Sequence, residues 1–235
     1  MSSHYYSFFM SYTIKISKKS YVIIEASSFQ LSHSQFICPD FGFFLNLTND
    51  HLDWHGSMSN YFNSKFVNVT INSRDMFCED SINIKNSFGF IKNIKVENSF
   101  FDAVDLDFSK LNIENIMVNG ANNDCIDVSF GDYLIKKATL SNCGDKGISI
   151  GEKSKLNLDD GIIAFSNIGI ASKDSAITKV QKLTIEQSNI CLTAYKKKRE
   201  FKGSTIFVEN FDCEKYKVKT KVDEFSKINI ENETH

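Results

Sequence analysis

From residue 82 onward, short strand-like triplets recur along the chain at a fixed interval of 22 residues. Their outer residues are two positions apart, the spacing that places two side chains on one face of a β-strand. The triplets begin at Ile82, Val104, Ile126, Ile148, Ile170 and Leu192. A constant interval of twenty-odd residues indicates a solenoid, and the two-residue spacing excludes helical repeats.

A second set of alternating apolar runs keeps nearly the same interval. It covers residues 94–96, 116–118 and 138–140 and, after a slip near Gly161, residues 183–185 and 206–208. Each coil therefore carries at least two short strands whose apolar side chains face a common interior. The pattern predicts a mainly β fold, a parallel β-helix of about six 22-residue coils over residues 73–235.

A polar column precedes the first strand of successive coils. Its members, again 22 residues apart, are Asn123, Asp145, Asn167 and Asn189. In stacked coils these side chains lie above one another at a turn, where Asn and Asp tolerate unusual backbone angles and hydrogen-bond to neighbouring turns. We therefore expect a polar ladder at this turn.

The repeat region resembles right-handed parallel β-helix proteins, and residues 143–154 and 168–175 resemble the terminal regions of large bacterial surface proteins. Proteins of this architecture include polysaccharide lyases, hydrolases, adhesins and plain scaffolds, so the resemblance implies a fold and not a reaction. Such relatives are often found at the cell surface. Their range of functions leaves glycan binding and glycan cleavage as candidate activities.

The first 72 residues follow a different pattern. Two continuous apolar runs, at residues 21–25 and 41–46, are separated by a mixed segment, and residues 57–68 are polar and compatible with a helix. Continuous rather than alternating apolar runs are typical of buried parallel strands. We predict a partial α/β segment over residues 1–72, because two strands and a helix cannot close a core.

Several ordered blocks in this segment, at residues 25–31, 46–53 and 55–58, together with Tyr61 and Lys65, resemble the central domain of the Mur ligases over residues 20–70. The best match is the D-glutamate-adding branch of this peptidoglycan-synthesis family. The resemblance implies an ATP-dependent amide ligase that uses Mg²⁺ and ATP and acts on UDP-muramoyl-alanine. Such chemistry requires Mg²⁺ between phosphate oxygens and charge neutralisation of the transferring group.

The resemblance also assigns roles to single residues. Glu25, His51 and Lys65 match metal-binding positions, and the family carries the lysine as a carbamate, so His51 and Lys65 are the catalytic candidates. Residues that match the UDP-muramoyl contact are Ser27, Ser28 and Gln30. No G-x-x-x-x-G-K-[ST] loop occurs in the chain, and such a loop positions the nucleotide phosphates. We therefore expect an incomplete ligase that does not bind ATP productively.

Carboxylates cluster in the predicted coils. Asp105 and Asp127 occupy equivalent positions of successive coils, as do Asp102 and Asp124, and Asp145 is close by. Equivalent side chains lie about 5 Å apart, the spacing of neighbouring strands. Such pairs could bind Ca²⁺ or act as acid and base on a glycan, and the alternative is an exposed acidic ladder without a ligand.

The composition excludes some classes of protein. The 27 basic and 29 acidic residues give a net charge of −2, so no strong field attracts nucleic acid, and no stretch approaches the ~18 apolar residues of a membrane span. The first residues lack the basic start and the long apolar centre of a secretory signal peptide, so we expect a cytoplasmic chain. The six cysteines form no C-x-x-C pair, so we expect buried free thiols.

Overall fold

The computed structural model describes residues 68–72 and 80–233, which form a parallel β-solenoid of about seven turns. The predicted parallel β-helix is therefore confirmed. Every strand pair in the described residues is parallel. The strands are β1 Asn68–Asn72, β2 Asp80–Lys85, β3 Phe88–Ser99, β4 Asp102–Asp107, β5 Lys110–Ala121, β6 Ile126–Ser129, β7 Asp132–Gly151, β8 Lys155–Lys173, β9 Ile177–Tyr195, β10 Thr205–Glu214, β11 Val218–Val222 and β12 Lys227–Glu233.

The coils stack their strands in two columns. The first stack runs β1-β3-β5-β7-β8-β9-β10-β12, and the second joins β2, β4 and β6 to the carboxyl-terminal parts of β7, β8 and β9 and then to β11. In the second stack Ile82 pairs with Val104, Val104 with Ile126, and Ile126 with Ile148. The 22-residue interval of the sequence is therefore the register of this stack.

Alternating burial along each strand builds one continuous interior. In β5, for example, Leu111, Ile113, Ile116 and Val118 are buried, and the residues between them face outward or lie at turns. Full burial of one such aliphatic side chain contributes about 1.5–3 kcal/mol. Because each coil buries its apolar face only against its neighbours, stacking is what stabilises the fold.

A column of small residues forms the turn that leads into the second stack. Gly147 and Gly169 occupy its middle, where a Cβ on Gly147 would lie 2.7 Å from the carbonyl oxygen of Gly169, and one on Gly169 would lie 2.6 Å from that of Cys191. Real Cβ atoms do not approach backbone this closely. Glycine therefore lets consecutive coils approach at this turn.

Three coils are longer than 22 residues. In the first of them Asn68 of β1 pairs with Asn93 of β3, 25 residues further along the chain. Asp132 pairs with Lys155 because the turn between them contains two consecutive residues, Glu152 and Lys153, with φ values of 36° and 61°. The segment between β9 and β10 adds a surface loop, so Leu183 pairs with Phe211. Residues 206–208 form a strand as predicted, but they pair with residues 178–180 and not with the run at 183–185.

The predicted polar ladder is confirmed. Asn189 donates from Nδ2 to Asn167 Oδ1 at 3.0 Å, and Asn167 donates from Nδ2 to Asp145 Oδ1 at 3.0 Å. The backbone nitrogen of Asp145 in turn donates to the carbonyl oxygen of Asn123 at 2.9 Å. Each side chain thus connects one coil to the next at the turn.

The cysteines of the described coils are disulfide-bonded, so the expectation of free thiols was wrong. Cys125 pairs with Cys143, and Cys191 pairs with Cys213, with Cα–Cα distances of 5.4 Å and 6.6 Å. These pairs are 18 and 22 residues apart in sequence, so no C-x-x-C spacing marks them. Cys143 is the register neighbour of Ala121, and Cys213 is that of Ile185. Each disulfide therefore joins the end of a first-stack strand to the preceding coil a few residues beyond the register position.

The predicted α/β elements of residues 1–67 lie outside the described residues, as does residue 73, at the start of the predicted second domain. Strand β1 belongs by sequence to the predicted first segment, and it pairs with β3 of the solenoid. Within residues 68–72 and 80–233, no helix is long and apolar enough to cross a membrane.

Candidate functional site

The acidic residues predicted from the repeat come together on the second stack. Asp105 of β4 is the register neighbour of Asp127 of β6, which in turn neighbours Ser149 of β7. On the other side, Asn83 of β2 donates from Nδ2 to Asp105 Oδ2 at 2.9 Å. The outward-facing position of four successive coils therefore forms one polar row, running from an amide through two carboxylates to a hydroxyl.

A second carboxylate pair lies at the turn beside this row. Asp102 Oδ1 accepts hydrogen bonds from the backbone nitrogen of Asp124 and from Asn123 Nδ2, both at 2.7 Å. Asp124 is 2% exposed and Asp102 is 9% exposed. These carboxylates are therefore buried in the turn, so the alternative of an exposed acidic ladder does not describe them.

Burial changes the protonation of these acids. Burial is the main cause that raises the pKa of Asp105 to about 8, and the neighbouring carboxylates of Asp107, Asp80 and Asp127 raise it further. Burial likewise raises the pKa of Asp124 to about 6, although the nearby ammonium of Lys146 opposes the shift. Asp105 therefore carries a proton at neutral pH over much of the population.

Lys146 bridges two of the predicted acids. Its Nζ lies 3.2 Å from Asp124 Oδ1 and also pairs with Asp145 Oδ2. Burial lowers the pKa of Lys146, but its hydrogen bond with Asp145 and the charge of Asp124 outweigh that effect and hold it above its usual value. Lys146 is thus a half-buried, charged link between the turn and the polar ladder.

Asp127 has one unsatisfied oxygen. Its Oδ1 is buried without a hydrogen-bond partner, and burial raises the pKa of the carboxyl while the charge of Lys173 opposes the rise. Lys173 is itself buried and donates from Nζ to Ser149 Oγ at 2.7 Å. Within residues 68–72 and 80–233, no group of three or more His, Cys, Asp or Glu side chains is arranged to hold a metal ion.

An open groove of about 570 Å³ lies at the turn between the two stacks, next to the acidic row. The rings of Phe108 and Phe130 line it and stack on each other with centroids 4.7 Å apart and planes 4° apart. Both rings remain in contact with solvent, Phe108 at 50% and Phe130 at 38% exposure. Other residues that line the groove are Asn86, Ser87, Phe88, Ser109, Lys110, Gly131, Asp132, Lys153 and Lys155.

The sequence pattern predicted the cluster of aspartates but not the stacked rings of Phe108 and Phe130. Asp105, Asp127, Asp124 and Asp145 lie on neighbouring coils, as their spacing predicted. Phe108 and Phe130 carry the same signal, because they too are 22 residues apart at equivalent turn positions. The positions predicted from the ligase resemblance lie outside the described residues: Glu25, Ser27, Ser28, Gln30, His51 and Lys65.

Residues 8–105 match the Mur ligase middle domain family. Similar proteins are named UDP-N-acetylmuramoylalanine–D-glutamate ligase. The one from Corynebacterium diphtheriae is 50% identical over 44 residues, which cover 19% of this chain and 9% of that protein. The one from Thermosipho africanus is 37% identical over 83 residues, covering 34% and 19%. The one from Elusimicrobium minutum is 30% identical over 190 residues, covering 66% and 42%. No solved structure matches the chain.

The comparisons show that the chain carries a peptidoglycan-ligase-like fragment. The chain spans less than half the length of these three relatives. The family match also overlaps the solenoid, since it extends to residue 105 and so includes β1, β2, β3 and the first part of β4. Within the matched segment, residues 68–72 and 80–105 are therefore built from stacked parallel strands and their turns.

Proposed function

We propose that this chain carries a Mur ligase middle-domain fragment that does not catalyse ligation by itself. The observation that supports this proposal is the overlap just described, because residues 80–105 are used as coils of the solenoid. Their backbone groups are paired with neighbouring coils, so they cannot also complete an α/β middle domain. Phosphoryl transfer depends almost entirely on positioning and electrostatics, so a displaced part of the domain removes most of the catalysis.

In this proposal Glu25, His51 and Lys65 would hold Mg²⁺ in an intact middle domain, while Ser27, Ser28 and Gln30 would contact UDP-muramoyl-alanine. ATP-dependent amide ligation converts a carboxylate to an acyl phosphate, which an amine then attacks. Carboxylate oxygens suit Mg²⁺, and a carbamate would turn the lysine into such a ligand. These residues give the fragment its family likeness, and we propose that Mg²⁺ and ATP are not bound productively in this chain.

The test is ADP release from ATP with UDP-muramoyl-alanine, D-glutamate and Mg²⁺, with an intact family member as positive control. We expect no release above the background without protein. ADP release that requires D-glutamate and disappears in Lys65→Ala would contradict the proposal. Lys19→Ala serves as the matched control variant, because Lys19 lies within the family match but outside the blocks at residues 25–31, 46–53 and 55–58.

A second proposed function belongs to the solenoid, namely glycan binding. The observation that favours it is the pair of stacked, solvent-exposed rings of Phe108 and Phe130 in an open groove. Exposed apolar surface in a groove with a polar rim marks a ligand site, and the C–H groups of sugar rings pack against exposed aromatic carbon. Because the rings stack face to face on consecutive coils, they turn their edges to the groove and form an apolar ledge longer than a single ring.

A glycan array tests this second function, with and without Ca²⁺ because a calcium-dependent mode was predicted for the acidic row. We expect retention of a subset of glycans, and its loss in the double variant Phe108→Ala/Phe130→Ala. Phe165→Ala is the matched control, because Phe165 is also exposed and also has a left-handed φ, of 58°, but its register neighbours are not aromatic. A chain that retains no glycan lacks this function.

Glycan cleavage is a third candidate, favoured by the protonated state of Asp105 next to Asp127. Acid–base cleavage needs one protonated and one ionised carboxyl, and raised pKa values of this kind are found at catalytic sites. The test is release of reducing ends or unsaturated products from polysaccharides. Release must disappear in Asp127→Asn for this function to stand.

A further inference from the structure

We propose that the groove at Phe108 and Phe130 selects an acidic polysaccharide that runs along the solenoid axis. This inference rests on the proposed glycan-binding function and adds the charge of the ligand and its direction. The ligand class is a linear glycan that carries carboxylate or sulfate groups on successive sugars.

The charge preference follows from three lysines that line the groove, Lys110, Lys153 and Lys155. Among the described residues, none of the three forms an ion pair with a carboxylate. By contrast Lys85, just outside the groove, is paired with Asp107 at 2.9 Å. The only acidic residue in the lining is Asp132, so the groove has an excess of unneutralised positive charge.

The register sets the direction of the ligand. Lys110 pairs with Asp132, which pairs with Lys155, so the two lysines lie two strand spacings apart, about 10 Å, on the same side of the coils. The rings of Phe108 and Phe130 repeat along the same axis. A linear chain laid parallel to the axis therefore meets aromatic rings on consecutive coils and a lysine on every second coil, with Asp132 on the coil between Lys110 and Lys155.

The surface loop between β9 and β10 extends this ledge. Phe201 in that loop contacts Phe130 edge-on, with ring centroids 6.1 Å apart and planes 60° apart. The ammonium of Lys153 lies 5.8 Å from the centroid of Phe201, a cation–π contact at the groove wall. The groove lining thus combines the rings of Phe88, Phe108 and Phe130 with three lysines, and Phe201 adjoins it through Phe130. A neutral glycan needs only the rings.

The experiment measures binding of the full chain to three oligosaccharides of matched length by calorimetry in EDTA. The probes are an oligogalacturonate, its neutral methyl ester and a sulfated dextran fragment. We expect an acidic probe to bind at least about tenfold more tightly than the ester, a difference of about 1.4 kcal/mol. Tighter binding of the galacturonate alone assigns carboxylate as the recognised group, and tighter binding of the sulfated probe assigns sulfate.

The double variant Lys110→Gln/Lys155→Gln should reduce the affinity for the acidic probe to that of the ester. The control Lys182→Gln, an exposed lysine of β9 outside the groove, should leave the affinity unchanged. Far-UV circular dichroism checks that each variant is folded. Equal, Phe108-dependent binding of acid and ester overturns the charge selection but leaves glycan binding intact, whereas absence of binding to every probe and to the array overturns both.

Discussion

Asp105 shows how a position in the coil changes the chemistry of a side chain. It lies between Asn83 and Asp127 in the outward row of the second stack, where neighbouring coils shield it from water. Its pKa of about 8 means that the folded chain holds a proton that a solvated aspartate would release. Asp105 therefore links the stability of the solenoid to pH.

Stability should fall as the pH rises from about 4 to about 8, because the unfolded state releases the Asp105 proton near its usual pKa of 3.8 and the folded state retains it. Asp105→Asn removes this titration, and its amide oxygen still accepts the hydrogen bond of Asn83. We expect the Tm of the variant to decrease less than that of the wild type across this range. Asp159→Asn on β8 is the control, and equal pH slopes in wild type and Asp105→Asn would contradict the assignment.

We expect removal of the Lys146 ammonium to lower the free energy of unfolding more than removal of an exposed charge. Lys146→Met leaves Asp124 buried without its cation, and an uncompensated buried charge costs about 3–5 kcal/mol. The loss should be smaller at low pH, since Asp124, whose pKa is about 6, is then protonated. Urea denaturation at pH values below and above this pKa measures the free energy of unfolding.

The control for this prediction is Lys137→Met. Lys137 lies 4.0 Å from Asp160 and its side chain is 50% exposed, so the exposed pair contributes about 0–1 kcal/mol. Similar losses for the two variants, or a loss that does not depend on pH, would show that Asp124 does not need Lys146.

For single residues, the sequence predicts the position in the coil better than it predicts the burial of the side chain. The 22-residue interval places Asp105 next to Asp127 without further information. It does not predict their burial, which depends on the neighbouring coils and turns around them. The aromatic ledge at Phe108 and Phe130 follows from the same interval, but only a structure shows that their rings stack in a groove.

The coil is the structural element that the sequence specifies most directly. The triplets that begin at residues 82, 104, 126, 148, 170 and 192 all lie in the second stack and pair in register, because the apolar residues of one coil must cover those of the next. The loop after β9 breaks the interval, and its length follows from no periodic signal. The sequence also does not predict which cysteines pair, since the pairing depends on how the turns of the coils approach one another.

The disulfide between Cys125 and Cys143 should stabilise the solenoid by restricting the unfolded chain. We expect the variant Cys125→Ser/Cys143→Ser to lose about 3 kcal/mol of unfolding free energy without loss of strand content. Urea denaturation under non-reducing conditions measures the loss. Cys191→Ser/Cys213→Ser, which removes a disulfide of similar sequence separation, gives an independent comparison.

Thiol labelling of the native chain, followed by intact mass, checks the pairing itself. Labelling of Cys125 or Cys143 without reductant would contradict it. The same labelling on freshly extracted protein tests the expected cytoplasmic location, because disulfides persist mainly in oxidising compartments.

For the whole molecule, the main feature is that two sequence signals share one segment. The Mur ligase match and the 22-residue repeat overlap from residue 82 to residue 105. Each coil of such a repeat buries its apolar residues only against the coils next to it. The first coils therefore stabilise those that follow. The structure assigns the shared segment to the solenoid, and the proposed lack of ligase activity follows from that assignment.

The most direct test of this assignment is solution NMR of the full chain over residues 80–105. We predict strand-type Cα and Cβ shifts throughout β2, β3 and β4, with inter-strand NOEs that link Ile82 to Val104 and Val104 to Ile126. Helical shifts within this segment, or an absence of NOEs between residues 22 apart, would contradict the assignment to the solenoid. The segment would then belong to an α/β middle domain.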